Sequence, residues 1–186
     1  MTKNRIYPGM LDDNSVEIFV IDDQLKAIQN GKIISFTDFS FPLIQIIEEA
    51  MNADEKAVEA LMQMHPGSNL RRIEQFAKCR FGGLDFTPDI KNGVIGEGDY
   101  WDCPLRNTCA HNGVLCKAPK INGQAITPEE LQIIRFSATS TTNEVMAEEL
   151  NVPFGTLHKM KQVLYEKCGV QTKQEMTVKA LKLNLI

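Results

Sequence analysis

Four cysteines, Cys79, Cys103, Cys109 and Cys116, stand in a C-x23-C-x5-C-x6-C spacing inside a stretch without regular hydrophobic periodicity. The thiolate is the nucleophilic and metal-ligating form of cysteine. Four thiolates arranged tetrahedrally close the coordination sphere of a structural zinc. Glycine and proline interrupt the same stretch at Gly82, Gly83, Pro88, Gly93, Gly96, Gly98, Pro104, Gly113 and Pro119. A structureless loop of about forty residues is unusual in a compact domain. Metal binding would supply folding free energy where apolar burial is scarce. The set therefore predicts zinc. Because no C-x2-C knuckle occurs, two alternatives stay open: a [4Fe–4S] cluster on the same thiolates, or reduced thiols packed as small apolar groups. His111 offers a nitrogen ligand if one cysteine is not used. Cys168 lies apart in a helical segment and is expected in the core.

An odd number of cysteines in a chain without a visible export signal argues against a disulfide framework. The longest apolar runs, residues 41–47 and 18–21, are too short to span a bilayer, so no membrane association and a cytoplasmic location are expected. Hydrophobic content of 43% and charged content of 24% over 186 residues are ordinary for a globular protein. Net charge is −4. Residues 1–124 hold 13 Lys and Arg against 17 Asp and Glu, and residues 125–186 hold 7 against 7. A neutral C-terminal region can still meet phosphate through one basic face, since attraction is screened over roughly 8–10 Å. The chain carries no P-loop, dinucleotide-binding glycine fingerprint, nucleophile elbow or H-E-x-x-H. The cysteines also lack the glutamate-centred signature of a zinc deaminase. An enzyme is not expected.

The elements that position these residues follow from periodicity. Residues 17–21, 25–29 and 32–36 read as strands, with turns at Asp22-Asp23 and Asn30-Gly31, the latter a two-residue hairpin signal. From Pro42 the period becomes helical, with Leu43, Ile46, Ile47 and Ala50 on one face. Further helices are expected over 53–64, with Val58, Leu61 and Met62 on one side, and over 68–78, with Leu70, Ile73 and Phe76 inward. The expected fold is α+β: residues 1–120 form a small β-meander with helices and the cysteine-rich module, and residues 125–186 form an all-α four-helix domain.

In that second region Thr127-Pro128-Glu129-Glu130 has the form of a capping box with proline at the first helical position. Leu131, Ile133, Ile134 and Ala138 make its buried stripe. Thr141 or Thr142 caps the next helix, with Val145, Met146, Ala147 and Leu150 inward. Asn151 to Pro153 turns the chain into a helix over 154–167 that buries Leu157, Val163 and Leu164. Gly169 ends it, and a last helix starts near Lys173.

This run resembles the LuxR/GerE-type helix-turn-helix of bacterial transcription regulators. The resemblance rests on Ile126-Thr127-Pro128, Glu130, Ala138, Thr142-Asn143, Ala147, Leu150, Val152, Thr156-Leu157, Lys167, Gly169-Val170, Lys173 and Glu175. It covers about sixty residues in one register, a third of the chain. His158, Met160, Ser140, Glu144 and Val145 stand where the family carries other residues. The resemblance implies double-stranded DNA as partner, a homodimer through the C-terminal helix, and Thr156 and His158 on the DNA-facing side. Helical spacing adds Lys159, Lys161 and Gln162 to the outer side, the lysines for phosphates and His158 or Gln162 for base edges. Thr142 and Asn143, at the start of the preceding helix, complete the expected DNA-contacting set. The leading expectation is a DNA-binding regulator. The alternatives are a protein–protein adaptor with a degenerate helix-turn-helix, and an iron–sulfur redox sensor.

Overall fold

The computed structural model describes residues 6–106 and 108–186. The chain is mixed α+β and divides into two compact units, Met1–Lys117 and Ala118–Ile186. Among the described residues no helix is long and apolar enough to cross a membrane.

In the first unit β1 (Ser15–Ile21), β2 (Gln24–Gln29) and β3 (Lys32–Ser35) form the expected antiparallel meander. Glu17 pairs with Ile28, and Ile28 with Ile33. Each connecting turn places two consecutive residues at positive φ, 52° and 59° at Asp22-Asp23 and 52° and 72° at Asn30-Gly31. That left-handed pair matches the twist of the strands it joins. Two further strands, β4 (Ile90–Lys91) and β5 (Val94–Ile95), extend the sheet in the order β3-β2-β1-β4-β5. They are a finding within the stretch read as irregular. Two-residue strands show no periodicity, although Asn92-Gly93 between them carries the same turn chemistry as Asn30-Gly31.

Helices α1 (Phe41–Asn52), with Pro42 in its first turn, and α3 (Asn69–Arg80) pack against the sheet, and α2 (Glu55–Met64) packs against both. Asp54 caps α2 by accepting from Ala57 N at 3.1 Å, and Ser68 caps α3 by accepting from Arg71 N at 3.3 Å. Ile18, Leu25, Leu43, Ile47, Leu61, Ile73, Phe76 and Phe81 form the core, joined from the cysteine-rich segment by Leu115 and Cys116. Leu70 and Met62 are exposed rather than inward. The buried row of α3 runs through Ile73, Phe76, Ala77 and Arg80, and Leu70 lies in its uncovered first turn.

The second unit opens with a hairpin, β6 (Lys120–Ile121) and β7 (Gln124–Ala125), turned by Asn122-Gly123, ahead of the region expected to be helical. Four helices follow: α4 (Pro128–Ser137), α5 (Asn143–Glu149), α6 (Phe154–Cys168) and α7 (Lys173–Lys182). Both halves of the Thr127–Glu130 capping box form, as does a second box from Thr172 and Glu175. Gly169, at φ 63°, ends α6 in the left-handed conformation. Ile133, Ile134, Met146, Leu157, Leu164, Cys168, Met176 and Ala180 are buried together. Polar ties brace the bundle: Lys167 Nζ to Glu130 at 2.7 Å, Lys179 Nζ to Cys168 O at 2.6 Å, and Thr177 Oγ1 to Ser137 O at 3.1 Å. Val145, Val163 and Ala138 are exposed, against expectation. The buried row of α6 is Leu157, Leu164 and Cys168, which leaves Val163 one step off the face.

The Asp22-Asp23 turn gives a direct test of the meander. Asp23 Oδ1 lies 3.6 Å from Lys78 Nζ, but its side chain is 95% exposed, so the pair is worth little. The stronger tie, Lys78 Nζ to Asp23 O at 2.7 Å, is to backbone and survives substitution. Replacing Asp22-Asp23 by Asn-Gly relieves the left-handed strain and is expected to stabilise the chain by about 1 kcal/mol. The check is the urea midpoint at unchanged slope; a lower midpoint contradicts the turn assignment.

Candidate nucleic-acid interface and cysteine cluster

Helices α5 and α6 pack against each other across a short turn. Val152 N donates to Ala147 O at 3.0 Å, and Asn151 takes a left-handed φ of 52°. This turn aims the start of α6 outward. Pro153 precedes the helix and supplies no side-chain cap, so the first-turn N–H groups are not closed off by a side chain. Such a terminus attracts anions through its N–H groups and the helix dipole.

The sequence-predicted contact residues divide into two groups. Thr156 and Lys159 are exposed on α6, and Lys159 has no hydrogen bond or ion pair among the described residues. Gln162 is exposed and donates to Glu166 Oε1 at 3.3 Å along its own helix. Lys161, by contrast, donates to Asn143 Oδ1 at 2.7 Å and lies 5.9 Å from the Tyr165 ring centre. Burial, with Lys173 nearby, pulls its pKa down. Lys161 and Asn143 thus tie α6 to the start of α5. Thr142 caps α5, accepting from Val145 N at 3.4 Å. His158 is exposed and packs edge-on against Phe154 at 4.7 Å between ring centres.

In the first unit Cys79 sits in the last turn of α3 and Cys116 at the end of the cysteine-rich segment; both are buried. Gln75 Nε2 donates to Cys79 Sγ at 3.2 Å. The neighbouring Cys79 thiol holds Cys116 down at about 6, against burial and with help from Arg106 and Arg80. The Cys116 thiol, then burial, pushes Cys79 up. Burial also raises Cys103, which feels Cys116 and Cys109. The chain from Cys103 to Cys116 runs as successive tight turns, with Cys109 N donating to Leu105 O at 2.8 Å and Leu115 N to His111 O at 3.1 Å. The fold therefore brings the four cysteines close enough to influence one another, Cys79 and Cys116 most strongly. Among the described residues, no group of three or more His, Cys, Asp or Glu side chains converges closely enough to hold a metal ion. Cys103 and Cys109 would have to close on the Cys79–Cys116 pair to complete a tetrahedral set.

A second cluster carries no motif. Glu17, Asp85, Asp89 and Asp99 meet beside the central strand. β4 pairs with β1 only at Ser15 and Val16. Beyond that point, Ile18 N donates to Asp89 Oδ2 at 2.7 Å and Val20 N to Gly82 O at 3.0 Å. Wholly buried Glu17 accepts from Asp85 N at 2.7 Å through Oε1, while Oε2 has no hydrogen-bond partner. Both Asp99 carboxyl oxygens are shielded from solvent, packed tightly against Gly83. Burial first, with neighbouring carboxylates adding to it, raises Glu17 to about 9 and Asp99 to about 8 and pushes Asp89 up, while burial alone raises Asp85. Chain separation hid this cluster, since strand alternation alone gives no reason to place Glu17 inside.

Compared with known protein families, with curated proteins and with solved structures, the chain finds no match.

The carboxyl cluster makes stability depend on pH in a defined direction. A carboxyl raised in the folded state keeps its proton there after the unfolded chain has released it. Its contribution is full below the unfolded value of about 4.5 and is lost as pH rises toward about 9. Unfolding free energy is expected to fall across pH 5–9, by up to about 1.4 kcal/mol per unit for each group still protonated. Glu17→Gln keeps the acceptor for Asp85 N and removes one titration, so it should flatten the profile. Chemical denaturation at several pH values checks this; a wild-type profile rising from pH 5 to 9 contradicts it.

Proposed function

We propose that the chain is a DNA-binding transcriptional regulator of the LuxR/GerE helix-turn-helix type, reading duplex DNA with α6. The observation that carries the reading is the α5–turn–α6 unit, which leaves the start of α6 open and sets Thr156 and Lys159 outward beside it. Backbone N–H groups and Lys159 would engage phosphate, and Thr156 and Gln162 would reach base edges. Lys161 serves to fix the angle between α5 and α6 rather than to bind phosphate, and Asn143 keeps its NH2 as a donor. His158, exposed and edge-on to Phe154, stays a candidate for base edges alongside Thr156 and Gln162.

The four cysteines are read as holders of a structural metal in the first unit, with zinc favoured. Support comes from their shared neighbourhood, from a thiol pair whose environment favours one thiolate, and from a backbone between them built from turns. Zinc at Cys79, Cys103, Cys109 and Cys116 would draw in Cys103 and Cys109 and add its binding energy to folding.

A protein–protein adaptor is the second reading. Glu144, Glu148 and Glu149 crowd α5 next to the start of α6, and Lys161 is withdrawn into a structural bond. Such a surface suits a polypeptide partner better than a polyphosphate.

Two measurements separate these readings. Binding to a duplex pool should weaken steeply with salt, and Lys159→Glu should weaken it further while reducing the log–log salt slope by about 1. Absence of salt-dependent binding leaves the adaptor. Elemental analysis of native protein is expected to find one zinc per chain. Iron would point to the cluster-bearing sensor, and no metal would contradict both.

A further inference from the structure

At the entry to α6 four consecutive residues, Pro153, Phe154, Gly155 and Thr156, are exposed, and the first residue of the helix is an aromatic one. The Phe154 side chain is 45% exposed. One helical turn later His158 braces it, packed edge-on with 4.7 Å between ring centres. Gly155 leaves the space beside the ring bare, and a Cβ built there would meet nothing within 4 Å. Phe154 also borders a hollow of about 660 Å³ whose lining includes Ala147, Val152 and Pro153, with Glu144 and Glu148 at its wall. The start of α6 thus offers an apolar edge, held in place and open to an approaching surface.

We infer that Phe154 is a specificity-determining residue that packs against the C5 methyl group of a thymine in the major groove. The inference rests on the proposed reading of duplex DNA by α6, in which the first residues of the helix meet base edges. Among the groups displayed along the major-groove edge, the thymine methyl is the apolar one. A phenyl ring laid on a phosphate, a base carbonyl or an amino group removes water from a polar atom and returns no hydrogen bond. Laid on the methyl, it removes apolar surface from water on both sides.

The charges around the ring favour the same partner. Glu144 and Glu148 repel phosphate, so this flank of α6 suits a base edge and not the sugar–phosphate backbone. Lys159, on the exposed side of the same helix, is left to hold the backbone. Position and discrimination are thereby divided between Lys159 and Phe154. The methyl group is all that separates thymine from uracil in the major groove, so its contribution can be read alone. One methyl buried on the ring corresponds to about fourfold in affinity, which is ~0.8 kcal/mol.

The test takes a duplex enriched from a randomised library by the full chain and remakes it with deoxyuridine in place of thymine, one position at a time. Each version is competed against the parent duplex. At one or more positions, loss of the methyl should weaken binding by about fourfold. Phe154→Ala should weaken binding to the parent by a similar factor and be indifferent to deoxyuridine at that position. Phe154→Leu, which keeps an apolar edge, should retain part of the preference, and circular dichroism checks that both variants keep their fold. Equal binding of the thymine and deoxyuridine duplexes at every position overturns the inference and leaves the DNA reading in place. So does an enriched motif without thymine. A Phe154→Ala variant that keeps the full preference for thymine also overturns it, and would give the methyl to Thr156. A library that never enriches removes the DNA reading and this inference together.

Discussion

The buried guanidinium of Arg80 is the tie on which the first unit depends. It closes α3 beside Cys79, lies 4.9 Å from the Phe76 ring centre, and donates to Leu115 O at 3.1 Å and to Asp54 Oδ2 at 3.0 Å. Asp54 is the cap of α2 and also takes Lys117 Nζ at 3.3 Å. Burial opposes ionisation of Asp54, but Arg80, the Ala57 amide and Lys117 outweigh it and hold the carboxyl below its usual range. One side chain thereby fastens α2, α3 and the far end of the cysteine-rich segment. Its backbone carbonyl accepts from Asp99 N at 3.0 Å, and Gly98, at φ 94°, packs so closely that a Cβ would strike both the carbonyl and the Arg80 stem. Stripping the partners from a buried charge of this kind costs about 3–5 kcal/mol.

Around that tie the segment from Phe81 to Lys117 acquires order without its own helices. One half leans on β1, where Asp89 and Gly82 stand in for a missing strand partner. The other half folds back through Cys103, Arg106 and Cys116. Arg106 lies 4.5 Å from the Tyr100 ring centre and donates to Trp101 O at 3.0 Å. Its charge and that of Arg80 favour the Cys116 thiolate. The cations stay with the thiols, and the carboxyl cluster is left to retain its protons.

How much of this was legible in the sequence depended on the range of the signal. Thr127, Glu130 and Gly169 announce the ends of α4 and α6 because caps act within four residues. Asn30-Gly31 announces its hairpin for the same reason. Asn92-Gly93 and Asn122-Gly123 say as much, but their strands of two residues carry no alternation to support them. Helix phase was less secure where helices are short. Val145 and Val163 are apolar yet face solvent, because tertiary packing selects Met146, Leu157 and Leu164 instead. The carboxyl cluster was out of reach, since Glu17 meets Asp85 across 68 positions through contacts that leave no local pattern. The DNA-facing set lay between these cases. Lys159 and Lys161 were both read as outward-facing, but two positions on a helix turn about 200°, and Lys161 turns back to donate to Asn143 while Lys159 stays exposed.

The central claim is that α6 reads duplex sequence. Selection of the full chain against a randomised duplex library tests it most directly. The account predicts convergence within a few rounds on a short common motif, with protein-bound sequences competing for binding far better than the starting pool. A library that stays random through successive rounds, while the protein remains folded, would contradict it.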